Sequence, residues 1–111
     1  MLEKQIKGFI QYCKISGFRP RSLQTLSIKL NEFNKFLKTN RISRVRSINY
    51  SHLSTFVADF KTPSIHIKKL RVWALRQFFH YLKLNGIVRE NFATALPYPM
   101  NRDRAELTVW K

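Results

Sequence analysis

Apolar side chains return every three or four residues along most of this chain, the period of a helix with one buried side. Leu2, Ile6, Phe9, Ile10 and Cys13 predict an amphipathic helix over 2–15, ended by Gly17 with help from Pro20. Ser22 is a good cap residue for a second helix, whose stripe is Leu23, Leu26, Leu30, Phe33 and Leu37, widened by Phe36. Asn40 and the basic loop RISRVRS follow. Asn49 or Ser51 opens a shorter third helix with Leu53, Phe56, Val57 and Phe60 on one side. Lys61-Thr62-Pro63 breaks it, and Pro63 suits the first turn of the next. A fourth helix runs from about Ser64 to Leu84, with a broad apolar sector of Leu70, Ala74, Leu75, Phe78, Phe79, Tyr81 and Leu82 and with Trp73 near it. Such a sector suits a helix packed against several others. Asn85-Gly86 closes it, and a short fifth helix fits 89–96. No segment demands a strand. The expected fold is all-α, a small orthogonal bundle of four main helices plus a short fifth.

From Pro97 the periodicity is lost, so the chain divides into a helical domain, 1–96, and a linker or tail, 97–111. The apolar pair Val109-Trp110 beside the last residue suggests a longer parent protein.

Charge changes the picture from a generic bundle to a binding module. The 111 residues hold 21 Lys and Arg against 6 Asp and Glu, a net charge of +15. Compact folding must tolerate that repulsion, and an anionic partner relieves it. The acids stand at Glu3, Glu32, Asp59, Glu90, Asp103 and Glu106, and the runs between the first four hold six, five and seven basic residues. A surface built only for solubility mixes its signs. Nucleic acid is the leading polyanion, with duplex DNA ahead of the alternative of a basic helical RNA-binding or ribosome-associated module, and an anionic membrane surface is a competitor. A protein-interaction domain is a further class, although its exposed faces would then be apolar rather than basic.

Other chemistry is excluded or unsupported. Cys13 is the single cysteine, so there is no internal disulfide and no thiolate cluster, as suits a reducing compartment. His52, His66 and His80 lack neighbours that would complete a metal shell, and no glycine-rich phosphate loop exists. No metal, no cofactor and no catalytic set is expected. No run reaches the roughly 20 apolar residues that span a bilayer, so a cytoplasmic or nucleoid location without a membrane partner is expected.

Phosphates are met by point charges and helix-start amides, and base edges by forked or planar groups. The starts of the second and fourth helices carry hydroxyl residues with basic neighbours and are expected to form one ligand-facing side. Arg41, Arg44 and Arg46 in the loop, and Lys61, are possible additional phosphate contacts.

Laid out in order, these segments resemble the N-terminal core-binding domain of tyrosine recombinases, the phage-integrase family. Gly17-Phe18-Arg19-Pro20-Arg21-Ser22-Leu23, with Leu30, Phe33, Phe36 and Leu37, is similar to the family's opening of its second helix. Ile48-Asn49 with Leu53 and Phe56 is similar to its third. Ala74-Leu75-Arg76-Gln77-Phe78-Phe79-His80-Tyr81-Leu82 resembles its fourth, followed by Gly86-Ile87-Val88 and Asn91-Phe92-Ala93. Leu26 stands where the family often has Tyr, and Phe92 where it has Pro. Residues 97–108 resemble an interdomain linker.

The resemblance implies a SAM-like bundle that forms one half of a C-shaped clamp on duplex DNA. By residue match the contacts are Arg19, Arg21, Ser22, Thr25 and Lys29 on the second helix and His66, Lys68, Lys69, Arg71 and Arg76 on the fourth. Most would touch phosphate; Thr25, His66, Lys69 and Arg76 are the candidates for bases, and Arg76 has a structural alternative beside the apolar sector. It also implies neighbouring protomers in a synaptic tetramer as partners. The family's catalytic residues lie in a second domain, so this chain alone would bind without catalysing, while its full-length parent would be a site-specific recombinase.

Overall fold

A computed structural model describes residues 2–58 and 64–97 of the chain. They form four α-helices: α1 (Glu3–Ile15), α2 (Pro20–Thr39), α3 (Tyr50–Val57) and α4 (Ile65–Leu84). Two 3₁₀ turns, Val45–Ser47 and Phe92–Ala95, complete the fold. Among the described residues no strand occurs.

The ends of these helices follow local chemistry. Arg19, in extended backbone, precedes Pro20 at the start of α2. The helix therefore begins two residues before the expected Ser22, because proline's fixed φ suits a first turn where its missing N–H is no loss. Asn49 is the cap of α3: its Oδ1 accepts from the His52 N–H at 3.2 Å, and the Asn49 N–H donates to His52 Nδ1 at 3.0 Å. His52 thus takes the part that Glu or Gln plays in a capping box. Ser64 caps α4, accepting from the Ile67 N–H at 3.4 Å.

Helices α1, α2 and α4 stop by one device. The N–H groups of Phe18, Ile42 and Ile87 reach back to the carbonyls of Cys13, Leu37 and Leu82 at 3.0, 2.9 and 2.9 Å. Each such ending puts one residue in the left-handed region. Gly17 and Gly86 take it easily, at φ 93° and 70°; in α2 the position falls to Arg41, at φ 59°.

The predicted stripes meet in one core. Phe33 lies at its centre, with ring centroids 5.1 Å from Phe56 and 6.3 Å from Phe79. Phe9 brings α1 against α4, 5.5 Å from Phe78 and 5.4 Å from Tyr81. Leu26, Leu30, Leu37, Leu53, Leu75 and Leu82 are fully buried around them. Asn34 is buried as well, and its Oδ1 accepts from the Leu2 N–H at 3.0 Å, which fastens the beginning of the chain to the middle of α2. Leu23, Leu70 and Trp73 are only half-buried.

The expected fifth helix is instead the four-residue turn Phe92–Ala95. Asn91 directs it by accepting from the Ala93 N–H at 3.0 Å. Phe60, Lys61, Pro63 and most of the 97–111 tail lie outside the described residues. No described helix is long and apolar enough to cross a membrane.

Candidate nucleic-acid interface

On α2, Ser22, Thr25, Lys29 and Glu32 follow one another at three- and four-residue steps, so they lie along one flank. On α4, Ser64, Lys68 and Arg71 do the same. The two rows meet at a single carboxylate. Glu32 Oε1 lies 3.5 Å from Lys29 Nζ and 3.8 Å from Arg71 Nε. The rows therefore meet at Lys29–Glu32 on α2 and Arg71 on α4, beside a cleft of about 750 Å³ whose wall includes Lys35 and Phe36, while Ser22 lies ten residues, about 15 Å, back along α2.

Along these rows the residues differ in availability. Arg21 is exposed, and Ser22 and Thr25 are half-buried, the Thr25 hydroxyl donating to the Arg21 carbonyl at 3.1 Å. Arg19 is exposed at the very start of α2, where no side chain caps the first turn. Lys68 is half-exposed. The Lys29 side chain keeps only 12% of its surface, against 40% for Glu32.

Arg71 is 7% exposed. Its Nη1 donates to the Phe56 carbonyl at 2.8 Å, and its guanidinium stands 4.5 Å from the Phe56 ring centre. It binds α3 to α4, and at that burial its side chain is a structural contact rather than the exposed cation expected from the sequence. The sequence held a signal for this: Arg71, Leu75, Phe78 and Leu82 fall on one helical line, so the apolar stripe of α4 runs through Arg71.

Arg76 is engaged elsewhere. Its Nε donates to the Ala93 carbonyl at 3.3 Å and its Nη2 to the Leu96 carbonyl at 2.5 Å, while Asn91 Nδ2 donates back to the Arg76 carbonyl at 3.2 Å. These bonds fasten the Phe92–Ala95 turn to α4, so the structural alternative describes its side chain here.

The remaining candidates spread further. At 3.6 residues per turn, Lys69 points about 100° and His66 about 160° away from Lys68. Both are exposed, on the outward side of α4. Arg41, Arg44 and Arg46 are exposed in the segment that follows α2, whose 20 residues put its far end about 30 Å from Arg19. Lys61 lies outside the described residues. Among the described residues no group of His, Cys, Asp and Glu could hold a metal ion.

Sequence reasoning missed Glu32, which it counted only as a break in a basic run. Its signal was local, a Lys three residues earlier on the same flank; its second cation, 39 positions further along the chain, was not.

No family model, no curated protein and no solved structure matches this chain. The vocabulary that came with the resemblance is corrected on that finding: DNA recombination, DNA integration, integrase, tyrosine recombinase, core-binding domain and SAM-like have no match behind them. DNA binding goes with them as a family property, and any case for it must stand on charge and geometry.

Proposed function

We propose that this chain binds duplex nucleic acid, with DNA as the preferred form, by seating phosphates against the corner where α2 and α4 meet. The observation that carries the reading is the junction of the two rows at Glu32, on a chain of net charge +15. Arg21 and Lys68 are the primary contacts, joined by Arg19 at the start of α2, where backbone amides and the helix dipole add positive potential. His66 and Lys69 reach the same duplex only if it also passes along the outer side of α4. The role is binding, with no catalytic step assigned to any residue.

An ion pair and a ring contact join the two helices. Glu32 meets Arg71, yet its neighbour Phe33 lies against Phe79, eight residues further along α4.

Titration onto a mixed-sequence 20-base-pair DNA duplex at 50 and 200 mM salt tests the reading. Affinity should fall steeply with salt. Arg21→Glu and Lys68→Glu should each weaken binding to every sequence and flatten the slope of log K against log salt by roughly 0.9 per lost phosphate contact. Salt-independent binding, or unchanged slopes in both variants, would remove this corner from the interface. Preference for an A-form RNA duplex, whose major groove is too narrow for a helix, would move the reading to RNA.

A further inference from the structure

We infer that Glu32 is an internal stand-in for phosphate that withholds Lys29 from the ligand and thereby limits affinity. This rests on the proposed binding of a duplex at the α2–α4 corner. A carboxylate oxygen and a phosphate oxygen ask the same of an ammonium: a charge-assisted contact at short range. Glu32 Oε1 already supplies it, 3.5 Å from Lys29 Nζ, and also stands 3.8 Å from Arg71 Nε.

Three features set this carboxylate apart from an ordinary surface acid. It is the sole acid among residues 4–58, a stretch with eleven Lys and Arg. It lies in line with Ser22, Thr25 and Lys29, on the row proposed to face the ligand. It is also accessible, with 40% of its side-chain surface open, while Lys29 behind it keeps 12%. A phosphate approaching this row meets a negative charge first, and the lysine beyond it is already occupied.

Its two cations are not equivalent. Arg71 is also held by the Phe56 carbonyl and ring, so it stays in place whatever Glu32 does. Lys29 has Glu32 as its hydrogen-bond partner on a flexible stem. Loss of the Glu32 charge thus frees Lys29 in particular, and removes one repulsion from the row.

The test uses the whole chain and the same 20-base-pair DNA duplex. Glu32→Gln keeps the shape and a hydrogen-bonding oxygen but not the charge. One added phosphate contact steepens the salt slope by about 0.9, so E32Q should lose roughly three- to fourfold more affinity than wild type between 50 and 200 mM salt, while binding more tightly at 50 mM. Adding Lys29→Gln to E32Q should return the slope to that of wild type. Lys29→Gln alone should leave it unchanged, because that lysine is already taken, and this arm remains informative if E32Q folds poorly. A wild-type slope in E32Q, a gain that survives K29Q, or a flattening by about 0.9 in K29Q alone would each overturn the inference. If neither wild type nor E32Q binds the duplex at 50 mM salt, the proposed function falls and takes the inference with it.

Discussion

Substituting Gly8 by Ala should destabilise α1 packing only while Tyr81 carries its hydroxyl. Gly8 lies inside α1, where glycine costs about 1 kcal/mol relative to alanine, so Gly8→Ala would normally stabilise by that amount. Here a Cβ at position 8 would stand 2.8 Å from Tyr81 Oη and 3.9 Å from Cζ. The first distance forces a shift; the second is an ordinary contact. The shift is hard to make, because the Tyr81 ring lies between Phe9 and Tyr12, with centroids 5.4 and 5.3 Å away. Overpacking of this kind costs about 1–3 kcal/mol, which offsets or exceeds the helix gain. In native protein G8A should therefore range from neutral to about 2 kcal/mol destabilising. In a Tyr81→Phe background the clash is gone, and the same change should stabilise by about 1 kcal/mol. Urea denaturation of the four proteins gives the coupling, expected at about 1–3 kcal/mol. Equal effects of G8A in the two backgrounds, within about 0.3 kcal/mol, would show that the close approach does not govern this helix pair.

Arg41→Gly should raise stability by roughly 0.5–1 kcal/mol, read from the urea midpoint, since glycine relieves the left-handed strain at φ 59°. Arg76→Ala removes two charge-assisted bonds to the carbonyls of Ala93 and Leu96 and should cost about 2 kcal/mol, with faster amide exchange across 92–96; Arg76→Lys should not restore the paired geometry. Burial pushes the Cys13 thiol up to about 11 from an ordinary value near 9, so at pH 8 it should react with a disulfide reagent at least a hundredfold more slowly than the unfolded chain. The sign for stability follows: the buried neutral thiol favours the fold fully below pH 9, and that contribution is lost as pH rises from about 9 through 11. Rapid labelling of native protein at pH 8 would contradict the buried placement.

Helical spacing was sufficient to locate all four helices and most of the core, because which residues share a face follows from 3.6 residues per turn and needs no knowledge of neighbours. Leu26, Leu30, Phe33 and Leu37 were legible in that way, as were the stops at Gly17 and Gly86 and Asn49 as one of two candidate caps for α3. Charge density was legible too, since it is a sum over residues. The destination of each individual charge was not. Whether an arginine faces solvent, a carbonyl or a carboxylate depends on which helices cross and at what height. Arg71 went to Phe56 and Glu32, and Arg76 to the carbonyls of Ala93 and Leu96. Asn34 became the buried acceptor for the Leu2 N–H, 32 residues away. Periodicity is a property of short segments, so the chain alone carries it. Pairing between distant segments is settled only when the core closes, and for this protein that closure separates the cations that build the fold, Arg71 and Arg76, from those left exposed at the surface, such as Arg19 and Arg21.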